Sequence, residues 1–310
     1  MHAPSPTRKA APAPSPLAFL AVLVANVALA FGPWFVRLAD TGPVAAGFWR
    51  MALGLPFVAG LALAGGARPG RLPGGLWAVL VVGGIAFAAD LASWHLGILR
   101  TTLANATLFG NTATLVYPLY GFVVARAWPS RSQGTALVLA ATGAALLMGR
   151  SYSVDPRHLT GDLLCIAAGL LYTAYFIAMA RARETMAPLS SLALSTAASV
   201  LPLLVFALAM GERVWPQHWG VLLGLALASQ VVGQGCMIYA LGQLSPLVVG
   251  LALLIQPVVA ATVGWLVYRE TLGVADVAGA VLVAIAVVLV RRGTVAREPA
   301  TPHLKTEENA

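Results

Sequence analysis

Residues 113–145, ATLVYPLYGFVVARAWPSRSQGTALVLAATGAA, and residues 252–284, ALLIQPVVAATVGWLVYRETLGVADVAGAVLVA, align without a gap at a constant offset of 139 positions. Pro118 falls on Pro257 and Gly134 on Gly273, while Leu115, Val124 and Ala136 fall on Leu254, Val263 and Ala275. Matches among Ala, Val and Leu carry little weight in so apolar a chain. The Pro and Gly matches carry more, because neither residue can be exchanged for an ordinary helix former without cost. The stretch reads as a duplicated unit. Its meaning depends on how often each copy crosses a membrane.

That it crosses one follows from composition. The 310 residues are 59% hydrophobic and 10% charged, and the mean hydropathy is +0.83. A soluble domain carries about 25% charged residues, so this chain lacks the charge to cover a water-facing surface. Apolar runs of helical length, about 20 residues, recur almost end to end. They predict ten spans at 17–37, 43–64, 75–99, 102–125, 133–149, 161–180, 188–210, 218–242, 245–268 and 273–290. Alternating ten-residue strands, the signature of a membrane barrel, are absent from the sequence. The expected fold is an all-α integral membrane protein.

The segment 150–160 divides the spans into two sets of five. The expected organisation is a tail over 1–16, a first repeat over 17–149, the connecting loop, a second repeat over 161–291 and a tail over 292–310. Five is odd, so the second copy sits upside down relative to the first. Ten transmembrane helices then form two inverted five-helix repeats around a central cavity, an architecture of transporters. Arg8 and Lys9 followed by the run Leu17–Val27 mimic a secretory signal. The apolar run continues through Phe31, Trp34 and Val36, so an uncleaved first span is expected.

The net charge of +8, from 19 Lys+Arg against 11 Asp+Glu, is not a nucleic-acid signal, because the basic residues stand singly or in pairs at span ends. They concentrate on the side of the termini, among them Arg68, Arg71, Arg126, Arg131, Arg181, Arg183, Arg291 and Arg292. This bias favours both termini in the cytoplasm and places the chain in the cell inner membrane. Cys165 and Cys236 fall within spans and read as packing residues. There is no Walker P-loop, no Cys/His group with metal spacing and no Ser/His/Asp set, so no metal, cofactor or ATPase activity is expected.

Within the second half, Gly161-Asp162-Leu163-Leu164 leads into Tyr172-Thr173-Ala174-Tyr175. Later, Gln256-Pro257 precedes Gly264-Trp265-Leu266-Val267-Tyr268-Arg269-Glu270-Thr271-Leu272 and Gly279. These stretches resemble the EamA domain of the drug/metabolite transporter superfamily, including its proline and L-x-x-E signature, over essentially residues 17–291. The first copy departs from the pattern, with Arg131 opposite Glu270 and Ala140 opposite Gly279. The resemblance implies a ten-helix carrier of amino acids, other metabolites, nucleotide sugars or drugs. The setting of His95, Tyr117-Pro118 and Tyr172 is most similar to bacterial amino-acid exporters, some of which take aromatic amino acids.

Polar residues inside the spans supply the candidate substrate contacts. Asp90 is the acidic residue deepest in a span, where an ionised carboxylate costs about 3 kcal/mol on insertion scales. It reads either as a contact for an ammonium or a proton, or as a structural carboxyl bonded to a neighbouring backbone. Trp94 shares its helical face one turn on, and His95 is rotated off it. Asn111 and Tyr117 flank the first copy's proline, and Tyr172 and Tyr175 form an aromatic stripe. Gln234 and Gln256 complete the substrate-binding candidates. Pro118 and Pro257 are the candidate hinges, since each removes a backbone donor and loosens the carbonyl four residues before it. Core packing is the alternative reading for every one of these residues.

Together they describe a cavity that is polar and nearly uncharged, with Arg50, near the end of the second span, as the exception. Such a cavity suits a zwitterion or neutral metabolite better than a phosphorylated sugar, which calls for deep Arg or Lys. The expected function is amino-acid or small-metabolite export by alternating access, with the lipid bilayer and a small-molecule substrate as partners. Proton-coupled export of drugs or other metabolites is the first alternative, and an integral-membrane enzyme is the second.

Overall fold

The computed structural model describes residues 15–67, 70, 72–101, 106, 109–149, 156–268 and 273–295. The expected site residues all lie within them, whereas Asn105, the loop 150–155 and Glu270 lie outside. Among the described residues the chain is helical, with no strand. Its helices form ten spans. The first five are Pro16–Ala30 with Gly32–Leu38 (span 1), Pro43–Ala64 (span 2), Gly74–Ile98 (span 3), Ala113–Ala125 (span 4) and Arg131–Gly149 (span 5). The second set is Leu159–Arg183 (span 6), Pro188–Ala209 (span 7), Trp219–Leu241 (span 8, whose middle is a π-helix over Ala226–Gln234), Pro246–Ala252 with Ile255–Tyr268 (span 9) and Val274–Val295 (span 10). Six of these are long and apolar enough to cross a membrane by themselves, and three shorter apolar helices lie among the rest.

Local chemistry starts and interrupts these helices. Proline occupies the first turn at Pro16, Pro43, Pro188 and Pro246, where its missing N–H is no loss. Ser15 and Ser245 cap two of them by accepting hydrogen bonds from the Ala18 and Val248 amides. Span 1 was expected as one helix and is split at Phe31, because Pro33 cannot donate to the Leu29 carbonyl. Span 9 breaks in the same way at Leu253–Leu254, just upstream of Pro257.

Exposed Leu115, Leu119 and Val123, Leu201, Val205 and Leu208, and Val277, Val281 and Val288 form helical stripes of large apolar side chains. A water-soluble surface does not carry such bands, and lipid accounts for them. Exposed Trp77 and Trp128 lie near one set of span ends, and Trp215 and Trp219 near the other, as interfacial aromatics do. The chain is an integral membrane protein.

The most extensive packing joins spans 3 and 6, 1 and 8, 2 and 7, 3 and 7, 2 and 8, 4 and 9, and 5 and 10. Exchanging the two five-span sets leaves this pairing unchanged, which is the mark of a pseudo-two-fold axis. The pairs of equivalent spans run antiparallel. In the second pair Gly42 lies against Glu212 and Gly47 against Leu203, and in the fourth Pro118 lies against Gly250 and Gly121 against Pro246. The repeats are therefore inverted, as the odd span count required.

Small residues let these helices approach, as expected where lipid offers no hydrophobic drive between helices. Ser199 Oγ donates to the Gly84 carbonyl at 2.8 Å, and a Cβ on Gly84 would stand 2.5 Å from the Ser195 carbonyl oxygen. Gly60, in contrast, faces open space. Gly84→Ala should therefore lower the thermal unfolding midpoint in detergent, at an overpacking cost of about 1–3 kcal/mol. Gly60→Ala should leave the midpoint unchanged or raise it slightly.

Candidate functional site

A cavity of about 310 Å³ lies between the repeats, in the half of the molecule away from the described chain ends. Spans 1, 2, 3 and 4 contribute Phe31, Trp34, Arg37, Arg50, Phe87, Asp90, Trp94, His95 and Asn111. Spans 6, 8 and 9 contribute Tyr172, Gln234, Gln256 and Pro257. Both breaks described above, at Phe31 and at Leu253, fall on the cavity wall. Helix interruption at membrane depth is tolerated where it lines a cavity or is buried in protein.

Asp90, Trp94, His95, Asn111, Tyr172, Gln234, Gln256 and the hinge candidate Pro257 are thus brought together. Tyr117, Tyr175 and Pro118 are not. Tyr175 is fully buried and stacks on Phe87 with ring centroids 4.3 Å apart, backing the wall from behind. Tyr117 is buried against Phe176 and Tyr120. Pro118 packs on span 9, where a Cβ on Gly250 would stand 2.5 Å from its Cγ. Two tyrosines expected on the substrate surface belong to the core because the aromatic stripe of span 6 faces spans 3 and 4.

The polar side chains are tied into short relays. Gln234 Nε2 donates to Tyr172 Oη at 3.2 Å, and its Oε1 is buried without a partner. Gln256 Nε2 donates to Asn26 Oδ1 at 2.9 Å, and Asn26 Nδ2 donates to the Val22 carbonyl. His95 is 3% exposed, and its Nδ1 has no hydrogen-bond partner. Among the described residues no group of His, Cys, Asp or Glu has the geometry to hold a metal ion.

Arg50, the charged exception named from the sequence, lines the cavity itself. It sits seven positions beyond Pro43, about 10 Å into span 2 at helical rise, and is buried. Its guanidinium carbon is 5.5 Å from the centre of the Phe87 ring. Nε donates to Gln230 Oε1 at 3.3 Å and Nη2 reaches the Ser229 carbonyl at 3.5 Å. Both partners lie on the π-helix of span 8, the kind of irregular turn that recurs at functional sites. Gln230 Nε2 in turn donates to Thr196 Oγ1 at 2.8 Å. Asp90 and Arg50 interact electrostatically, yet no hydrogen bond or ion pair joins them. The sequence placed Arg50 by its nearness to a span end. A better signal was available: span 2 starts at Pro43, which puts Arg50 two turns inside.

Away from the cavity, spans 4 and 9 pack tightly. Pro118 and Gly250 interlock, as do Gly121 and Pro246, where a Cβ on Gly121 would stand 2.8 Å from Pro246 Cβ. At the offset of 139 the counterparts of Pro118 and Gly250 are Pro257 and Asn111, and both of these line the cavity. The tightly packed pair Pro118 and Gly250 thus has symmetry counterparts that line the cavity.

The comparisons fit this geometry. The model of the EamA-like transporter family matches residues 16–149 and again 159–292. The chain belongs to this family. It is 31% identical over 139 residues to the threonine/homoserine exporter RhtA of Escherichia coli (strain K12), and equally to that of strain O157:H7. That alignment covers 44% of this chain and 46% of the exporter, so the chain spans about half the length of the curated relatives it matches. A solved crystal structure, described only as that of a protein, superposes with a TM-score of 0.76 at 15% identity. The superposition covers 91% of this chain and 98% of the other, and shows the same fold. The chain is a multi-pass membrane protein of a transporter family.

Loops brace the rim of the cavity. Glu212 accepts hydrogen bonds from the Val44 and Ala45 amides, capping span 2 from across the repeat boundary. Trp49 Nε1 donates to the Val214 carbonyl. Asp40 Oδ2 accepts from the Gln217 and His218 amides and lies 3.2 Å from His218 Nδ1. Desolvation raises the proton affinity of Asp40, but these hydrogen bonds outweigh it and hold the carboxyl below its ordinary 3.8. A depressed folded value stabilises above the unfolded one and is lost as pH falls through the folded one. Asp40→Asn should therefore melt below the wild type at pH 6. The gap should shrink as the pH is taken below about 3.8, in melts of detergent-solubilised protein.

Proposed function

We propose that this protein exports small amino acids or closely similar zwitterions across the cell inner membrane, with both termini cytoplasmic, by alternating access of the cavity between its inverted repeats. It works as a carrier rather than an enzyme. The observation that carries this reading is the unequal packing of two symmetry-related pairs. Pro118 and Gly250 are packed tightly together, whereas their counterparts Pro257 and Asn111 line the cavity, the asymmetry expected of a carrier facing one side. Because the repeats are inverted copies, exchanging their conformations yields a second state of similar energy facing the other side. The limited similarity to a threonine/homoserine exporter supports the choice of amino acids, as does the polar wall.

The carrier needs no ATPase of its own. An amino acid accumulated in the cytoplasm runs down its gradient when the site turns outward. Substrate binding has only to shift the balance between the two facing states by its differential affinity for them. Asn111 and Gln256 line the cavity with Pro257, so on this reading they contact substrate. Pro257 flexes the span there, and Pro118 plays the same part in the opposite state.

Locking the interlock of spans 4 and 9 tests this reading. With Cys165 and Cys236 replaced by Ala, the pair Gly121→Cys and Pro246→Cys places two Cβ atoms nearer than the ~3.8 Å of a disulfide, so an adjustment of about 1 Å allows the bond. In proteoliposomes, labelled threonine and homoserine should move saturably through the reduced protein. Oxidation should stop that movement and dithiothreitol restore it. Undiminished transport by fully cross-linked protein would contradict alternating access through this gate.

A further inference from the structure

We propose that Arg50 and Asp90 form a two-point clamp for a zwitterion, the guanidinium taking the substrate's carboxylate and the Asp90 carboxylate its ammonium. The proposal deepens the amino-acid reading above and rests on it. Both side chains line the same cavity and both are buried. Neither has a charged partner in direct contact, although each lies within electrostatic reach of the other. A guanidinium and a carboxyl group held near one another but apart, with a cavity in front of them, leave room for a ligand whose carboxylate and ammonium meet them in the same order.

The surroundings of Arg50 prepare it for a carboxylate. Arginine carries five donors in a rigid fork that matches a carboxylate edge. Among the described residues two hydrogen bonds, at 3.3 and 3.5 Å, engage it, and both are long. They suffice to set its plane, because Gln230 is itself held by Thr196. Gln230 is also wedged against span 2, where a Cβ on Gly54 would stand 2.9 Å from its Cγ. The Phe87 ring faces the guanidinium and is pinned from behind by Tyr175. Gln230 is thus a positioning residue and Arg50 the binding one. Asp90 sits three residues after Phe87 on the same helix, so one turn of span 3 presents both the ring facing Arg50 and the opposing carboxylate.

The clamp selects a chemical class. A phosphorylated sugar would meet Arg50 but be repelled by Asp90, and a cationic drug the reverse. A neutral metabolite would leave both charges unmatched in a site largely screened from water. An α-amino acid satisfies both, and its side chain is left to the apolar wall of Leu29, Phe31 and Trp34.

The test is competition against uptake of labelled amino acid in proteoliposomes, using the free amino acid, its methyl ester and its N-acetyl derivative. The wild type should bind the ester and the N-acetyl compound each at least about tenfold more weakly, the scale of one lost hydrogen bond to a charged group. Arg50→Gln should lose discrimination against the ester, and Asp90→Asn should lose it against the N-acetyl compound. Gln230→Leu should raise KM for the free amino acid and narrow the ester discrimination, with kcat little changed. Equal competition by all three ligands in the wild type would overturn the clamp without any variant, even with transport intact. Unchanged discrimination in folded, monodisperse Arg50→Gln and Asp90→Asn would also overturn it. If the wild type moves no amino acid in the panel, the amino-acid reading itself fails and the clamp with it.

Discussion

The close approach of inverted helices through glycine is the constraint on which the rest of this structure depends. Lipid gives two apolar helices no solvent reason to associate, so packing and interhelical hydrogen bonds must hold them. Gly84, Gly97, Gly121, Gly143 and Gly250 each put a neighbouring span where a side chain would collide. Those contacts bring spans 3 and 7, spans 4 and 9, and spans 5 and 10 together about the pseudo-two-fold axis. Spans 1 and 8 and spans 3 and 6 then enclose the space left between the repeats. The cavity is a consequence of this pairing.

The same geometry explains why charge is tolerated at depth. Arg50 and Asp90 come from adjacent spans of the first repeat, while Gln230 and Ser229 come from the second. The π-helix of span 8 supplies the carbonyl and amide that a guanidinium needs inside a membrane. A shift of one repeat against the other therefore changes the setting of Arg50 as well as the gate. In the proposed carrier, span 8, which packs on both spans 1 and 2, is the element that would link binding to the movement between repeats.

Much of this was legible in the sequence because it depends on counting and on proline. Ten apolar runs, an odd number per copy and the matched Pro118 and Pro257 led directly to inverted repeats. Asp90, Trp94, His95 and Gln234 reached the cavity because a polar group inside a span must face protein or water. Tyr117 and Tyr175 escaped this logic: a tyrosine has enough apolar ring to be buried among Phe87, Tyr120 and Phe176. The split at Phe31 was encoded by Pro33 but hidden by an unbroken apolar run. The π-helix of span 8 was not readable, since helix register within an apolar span leaves no trace in hydropathy. Arg50, read as the charged exception near a span end, lies on the cavity wall because Pro43 starts the span two turns before it.

The central claim is that the cavity opens on one face only while it is closed on the other. Pulsed electron resonance between spin labels measures this most directly. One pair, at Val124 and Ser245, reports the face closed by Pro118 and Gly250. A second pair, at Arg37 and Val263, reports the open face. The account predicts that transported substrate redistributes both distances in opposite senses, the first lengthening as the second shortens. Distances that stay fixed, or that lengthen together, would contradict it.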